Sequence, residues 1–211
     1  LVEREIGNKV DAIIINPIDS EEVSRWIDDK KKTIPIISVG ERIDSSRVLA
    51  FASADNSAMG EKLAEAIARE HSNEKIYIFT YDQEEWVIQE RYEGLSLKLK
   101  ELSIGFETIY LSKGTVNFGN IFLEGLEQGS FLIGLDTAIT EQLITVGDIS
   151  DKIYGIGLSD VVISNLENGR ISSLIIQSEY DVGYVSLMWL SNVLNKEDLK
   201  KTILKVYEIN K

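Results

Sequence analysis

Val10-Asp-Ala-Ile-Ile-Ile-Asn-Pro-Ile-Asp-Ser20 decides how the rest of the chain is read. Its first part is a short, nearly continuous apolar run. Its second part opens a helix: Asp19 begins Asp-Ser-Glu-Glu, a capping box with Glu22 three residues on. Val23, Trp26 and Ile27 then form an i, i+3, i+4 stripe. Ile34–Gly40 is the next apolar run, so the pattern is strand, helix, strand.

The same alternation continues outward. Further apolar runs occupy Lys75–Tyr81, Phe106–Leu111, Phe131–Asp136, Lys152–Leu158 and Ile171–Gln177. They are β-rich and unbroken by alternating polar residues, as strands covered on both faces require. Between them lie helix-period stretches. Met59, Leu63, Ala66 and Ile67 share one face, as do Ile88, Tyr92, Leu95, Leu99 and Leu102. Shorter helical stretches cover Ala138–Val146 and Val161–Leu166, and Val182, Val185, Trp189 and Val193 make a last stripe. Repeated strand–helix–strand units predict an α/β fold with parallel sheets and right-handed crossovers. Ligands of such sheets sit beyond the C-terminal ends of the strands, so the residues that end each strand are the functional candidates.

Composition narrows the function. The 211 residues are 44% hydrophobic and 27% charged, enough for one good core or two modest ones. No apolar run approaches the roughly 20 residues that cross a bilayer. A formal net charge of −13 repels phosphate backbones and argues against nucleic-acid binding. The chain has no cysteine, which excludes disulfides, thiolate metal sites and a cysteine nucleophile. Its one histidine, His71, ends the amphipathic stretch Ser57–Ser72, where an imidazole suits a helix C-terminus better than a triad or metal site. There is no G-x-x-x-x-G-K-[ST] phosphate loop and no G-x-S-x-G elbow. Gly155-Ile-Gly157 lacks the third glycine of a dinucleotide fingerprint. No catalytic residue, cofactor or metal is therefore assigned.

Four segments in order resemble the type I periplasmic-binding-protein superfamily, which includes ribose-binding proteins and the effector domains of LacI-type repressors. They are Val10–Ser20 with Ile34–Gly40; Ala54-Asp-Asn56 leading into a helix; Glu90-Arg-Tyr-Glu-Gly94; and Tyr154-Gly-Ile-Gly157 with Leu166-Glu-Asn-Gly-Arg170 and Ile176-Gln177. The resemblance implies two Rossmann-like lobes with parallel sheets and a ligand cleft that closes on binding. It assigns residues 1–54 plus 178–198 to a first lobe and 55–177 plus 199–211 to a second. Such proteins begin with a strand, a helix and another strand ahead of the helix expected to open this chain. The resemblance therefore implies an incomplete N-terminal lobe. An incomplete sheet exposes an edge, so that lobe is expected to be unstable alone, to dimerise or to close abnormally.

The resemblance also nominates ligand contacts. Planar polar side chains pair with vicinal sugar hydroxyls, and aromatic faces pack on the ring. Arg91 stands at the family's ligand-binding arginine; the alternative is a surface salt bridge with Glu84 or Glu90. Gln177 stands where a ligand-binding amide is common, or it is a hinge residue bonded to backbone. Asp136 accepts hydroxyl hydrogens, caps the helix opening at Thr137, or does both. Trp86 stacks on a sugar or packs in the core. Glu41 and Arg42 stand near the family's Asp-Arg pair, shifted by Gly40. An aspartate common at the position of Gly157 is missing, and Ser159 or Asp160 is left to replace it or to cap the next helix.

The expected function is capture of a sugar or polyol outside the cell for an ABC-type membrane permease. The alternative is a sensing module that passes closure to a signalling partner, such as a kinase or a transcription regulator. A homodimer is a further expectation.

Overall fold

The computed structural model describes residues 9–29, 34–81, 85–112, 125–145, 150, 152–199, 202 and 204–210. The helix expected at the start of the chain, the Glu84 carboxylate and the end of the predicted helix at Val146 lie outside them. The described elements alternate β1 (Ile13–Ile15), α1 (Ser20–Asp28), β2 (Ile36–Val39), β3 (Val48–Ala52), α2 (Asn56–Glu70), β4 (Ile76–Tyr81), α3 (Trp86–Glu101) and β5 (Glu107–Leu111). They continue with β6 (Phe131–Gly134), α4 (Thr137–Thr145), β7 (Ile153–Ile156), α5 (Asp160–Glu167), β8 (Ile171–Gln177), α6 (Glu179–Leu194) and β9 (Val206–Asn210).

The chain divides into two compact units, Leu1–Ala54 with Ser178–Leu204 and Asp55–Gln177 with Lys205–Lys211. The first unit holds a three-stranded parallel sheet in the order β1-β2-β3. Helix α1 covers one face: Ile27 is buried with Ile36 and Ile43, and Ile13, Ile15, Val23, Trp26 and Val48 pack around them. Asp19 caps α1 by accepting the Glu22 N–H at 2.8 Å. Helix α6 packs on β2 and β3.

The second unit holds a six-stranded sheet in the order β5-β4-β6-β7-β8-β9. Its first five strands are parallel. β9 runs antiparallel to β8, so the sheet is not wholly parallel. The central strands β6 and β7 are buried along their whole length, as both-face burial requires. The outer strand β5 is buried only at Leu111. The core beneath α4 and α5 gathers Phe79, Leu132, Ile139, Leu143, Val162, Leu166 and Leu174. Leu102, read as part of the apolar face of α3, ends that helix and is 40% exposed.

Two sets of glycines bring helices onto their neighbours. A Cβ at Gly60 would lie 2.1 Å from the Arg91 carbonyl, and one at Gly94 would lie 2.1 Å from the Ser57 carbonyl. The backbones of α2 and α3 therefore touch. A Cβ at Gly155 would strike the Thr140 hydroxyl at 2.4 Å, and one at Gly157 the Thr137 hydroxyl at 2.1 Å. Gly155-Ile-Gly157 thus seats the start of α4 on the ends of β6 and β7, which is a packing role.

Candidate functional site

In the second unit β4 is followed by β5 on one side and, after that excursion, by β6 on the other. Connections leave β4 and β6 in opposite directions, which makes their C-terminal ends a topological switch point, the position where open α/β sheets leave a crevice for ligand. The residues there come from the end of β4, the start of α3 and the β6–α4 turn.

Arg91 lies on the face of α3 that also buries Val87, Ile88, Gly94 and Leu95. It is buried, with only 9% of its surface exposed. Its Nε donates to Asn56 Oδ1 at 3.0 Å and its Nη1 donates to the Leu135 carbonyl at 3.0 Å. Both bonds lie in the interior of the unit. The contact of α2 with α3 at Gly60 and Gly94 places the start of α2, and with it Asn56, against the guanidinium.

Asp136 follows Leu135 and caps α4: one carboxylate oxygen accepts the Ile139 N–H at 2.7 Å. Burial raises its pKa above the usual carboxylate value. The Ile139 and Ala138 N–H groups and the Arg91 charge pull the other way, while the Glu85 charge adds to the rise. Tyr81, the last residue of β4, is pushed up to about 12 by burial first and then by the negative charges of Asp136 and Glu85. Guanidinium, carboxylate and phenol thus converge at one strand edge, a donor and acceptor set suited to hydroxyl groups.

Trp86 opens α3 and is 40% exposed, so it is not a core residue. Gln177 ends β8 opposite Val206 of β9 and is half-buried. Strand β8 lies two positions beyond β6, or roughly 10 Å along the sheet. Glu41 and Arg42 belong to the other unit, at the end of β2. There Gly40 turns at φ +73°, against the Asn16 side chain, and Glu41 accepts the Arg42 N–H at 2.9 Å. Ser159 caps α5 through the Val162 N–H at 3.2 Å and donates to Glu141 Oε1 at 2.6 Å.

Of the predicted residues, Arg91 and Asp136 meet at the switch point, with Trp86 at the adjoining helix start. The sequence reading missed Tyr81, Asn56 and Glu85. Tyr81 ends a run that was read as a strand, and Asn56 stands in a segment that carried the family resemblance. Their positions were visible; their contacts with Arg91 and Asp136 were not. A cavity of about 440 Å³ lies elsewhere, lined by Leu158, Ile163, Leu166, Leu174 and Ile209 with Glu167 and Asn210. Its apolar walls offer little to a polyol. Among the described residues no group of three or more acidic or histidine side chains is arranged to hold a metal, and no helix is long and apolar enough to cross a membrane.

Known proteins with this architecture are numerous. A carbohydrate-transporter solute-binding protein from Agrobacterium radiobacter, in complex with D-arabinose, superimposes with a TM-score of 0.81 at 22% identity, over 100% of this chain and 77% of its own. A glucose-galactose binding protein from Geobacillus stearothermophilus gives 0.82 at 20% identity, over 99% and 79%. A XylFII–LytSN complex gives 0.78 at 18% identity, over 99% and 79%. No curated protein matches the sequence. Residues 1–121 match the family model described as the periplasmic binding protein domain. The chain belongs to the periplasmic binding protein family, with the type I architecture.

Proposed function

We propose that this chain is a solute-binding protein that captures a sugar or similar small polar ligand and presents it to an ABC-type permease outside the cytoplasm. The observation that carries the reading is the buried Arg91, held by Asn56 and the Leu135 carbonyl beside Asp136 at the switch point. A guanidinium fixed in this way loses little freedom when a hydroxylated ligand arrives, and preorganisation of that kind favours binding. Asp136 accepts hydroxyl hydrogens with the carboxylate capacity that the Ile139 N–H does not use. Trp86 supplies an exposed aromatic face for the ring. Gln177, Glu41 and Arg42 are proposed as further contacts, each at a strand end. In this reading the chain acts by binding rather than by catalysis. The D-arabinose complex of the similar carbohydrate transporter protein supports the ligand class.

A second reading has the same site reporting to a signalling partner. It is favoured by the likeness to the XylFII–LytSN complex, in which the similar chain is found with another protein.

Thermal denaturation against a panel of pentoses and hexoses tests the proposal. A true ligand at a 100-fold excess over its dissociation constant stabilises the fold by about 2.7 kcal/mol. Arg91→Lys is expected to remove most of that gain. If no monosaccharide stabilises the protein, the sugar reading fails.

A further inference from the structure

Tyr81 is the last residue of β4, level with Leu111 at the end of β5. Its ring is half-buried and packs on the core beneath α4 and α5, where Phe79 and Leu111 also lie. Phe79 pairs with Gly134 of β6. Helix α4 starts over this same region, because a Cβ at Gly134 would lie 2.6 Å from the Thr140 hydroxyl. Asp136 opens that helix, with one carboxylate oxygen on the Ile139 N–H and its carbonyl on the Thr140 N–H. Adjacent strands run about 4.8 Å apart. The phenol of Tyr81 and the carboxylate of Asp136 therefore stand at neighbouring strand ends, within reach of one small ligand group.

The two groups are near each other without being bonded. Tyr81 feels Asp136 and Glu85 as negative charges, and burial with those charges pushes its pKa up to about 12. Asp136 in turn takes its hydrogen bonds from the backbone N–H groups of α4 and is drawn down by the Arg91 charge, not by the phenol. The Tyr81 hydroxyl stays protonated through the physiological range and is a donor. Beside it the carboxylate is an acceptor. Donor and acceptor thus flank one position at the switch point.

We infer, on the sugar-binding reading of this site, that Tyr81 is a specificity-determining ligand contact: with Asp136 it selects one ligand hydroxyl, which accepts from the phenol O–H and donates to the carboxylate. Among the common substituents of a sugar only a hydroxyl does both. An ammonium has no lone pair with which to accept, and an ether or carboxylate oxygen has no hydrogen to give. A deoxy position leaves phenol and carboxylate unpaired in a partly buried site, and a site built to bond a hydroxyl discriminates strongly against its loss.

Isothermal titration calorimetry on the whole chain tests this, with D-ribose, D-xylose, D-glucose and D-galactose as probes. The tightest of them is then compared with its monodeoxy derivatives. One deoxy sugar is expected to bind the native chain at least about tenfold more weakly than its parent. Tyr81→Phe should weaken the parent by a similar factor and should bind that deoxy sugar as the native chain does. The ring stays in place, so the melting temperature without sugar should not change. A parent sugar indifferent to Tyr81→Phe overturns the inference and leaves the proposed function standing. So does a native chain that tolerates every deoxy sugar, or a variant that weakens parent and deoxy sugars alike. If none of the probes binds, the inference falls together with the sugar reading.

Discussion

Arg91 is a buried charge, and its value lies in what it satisfies. Truncation to alanine removes the bonds to Asn56 Oδ1 and the Leu135 carbonyl and takes the positive charge away from Asp136. Urea denaturation of Arg91→Ala is expected to show a loss of about 3 kcal/mol. Asp136 gives a pH signature of opposite sign to most carboxylates. Its folded pKa lies above the ordinary 3.8, so the folded state holds more protons than the unfolded one just above that pH. The stability this group contributes therefore falls as pH rises through the folded pKa. Asp136→Asn keeps the cap on α4 and should abolish that fall. Glu74 behaves conversely. The Lys152 ammonium and the Ser72 N–H hold its carboxylate down to about 2, from 4.5. Its contribution is full above pH 4.5 and is lost as pH drops towards 2, so Glu74→Gln should flatten the acid limb of the stability profile.

At the scale of elements, the α2–α3 contact supports the site. Gly94→Ala places a methyl 2.1 Å from the Ser57 carbonyl, on backbone that cannot swing away. The helices must separate, at a cost of about 1–3 kcal/mol, and Asn56 moves off the guanidinium. Calorimetry should show a lower melting temperature together with weaker ligand binding, whereas a substitution at exposed Leu97 on the same helix should change neither. Most elements were legible in the sequence because their signals are local. The capping box at Asp19 and the apolar face of α2 need only a few neighbouring residues. Two strands escaped. β3, Val-Leu-Ala-Phe-Ala, is short and only Ala52 of it is buried; β9, Val-Tyr-Glu-Ile-Asn, is a half-exposed antiparallel edge. β9 interrupts its apolar residues with Glu208 and ends on Asn210, whereas β3 is a short apolar run that lacks the both-face burial of the central strands.

For the whole molecule, the acidic balance sets behaviour in solution. A net charge of −13 destabilises the compact state by self-repulsion, and salt screens it. Raising ionic strength from about 10 mM to about 0.5 M should raise the melting temperature.

The sequence by itself determined the α/β class, the family and the strand ends at which to look, since periodicity, caps and glycine placement are written into adjacent residues. Only the tertiary structure decided the strand order that makes β4 and β6 a switch point, the burial of Arg91 between Asn56 and Leu135, and the packing role of Gly155 and Gly157. Those features join residues 35 and 44 positions apart, as the Arg91 bonds do. Such pairings arise from how whole elements pack, which no local pattern encodes.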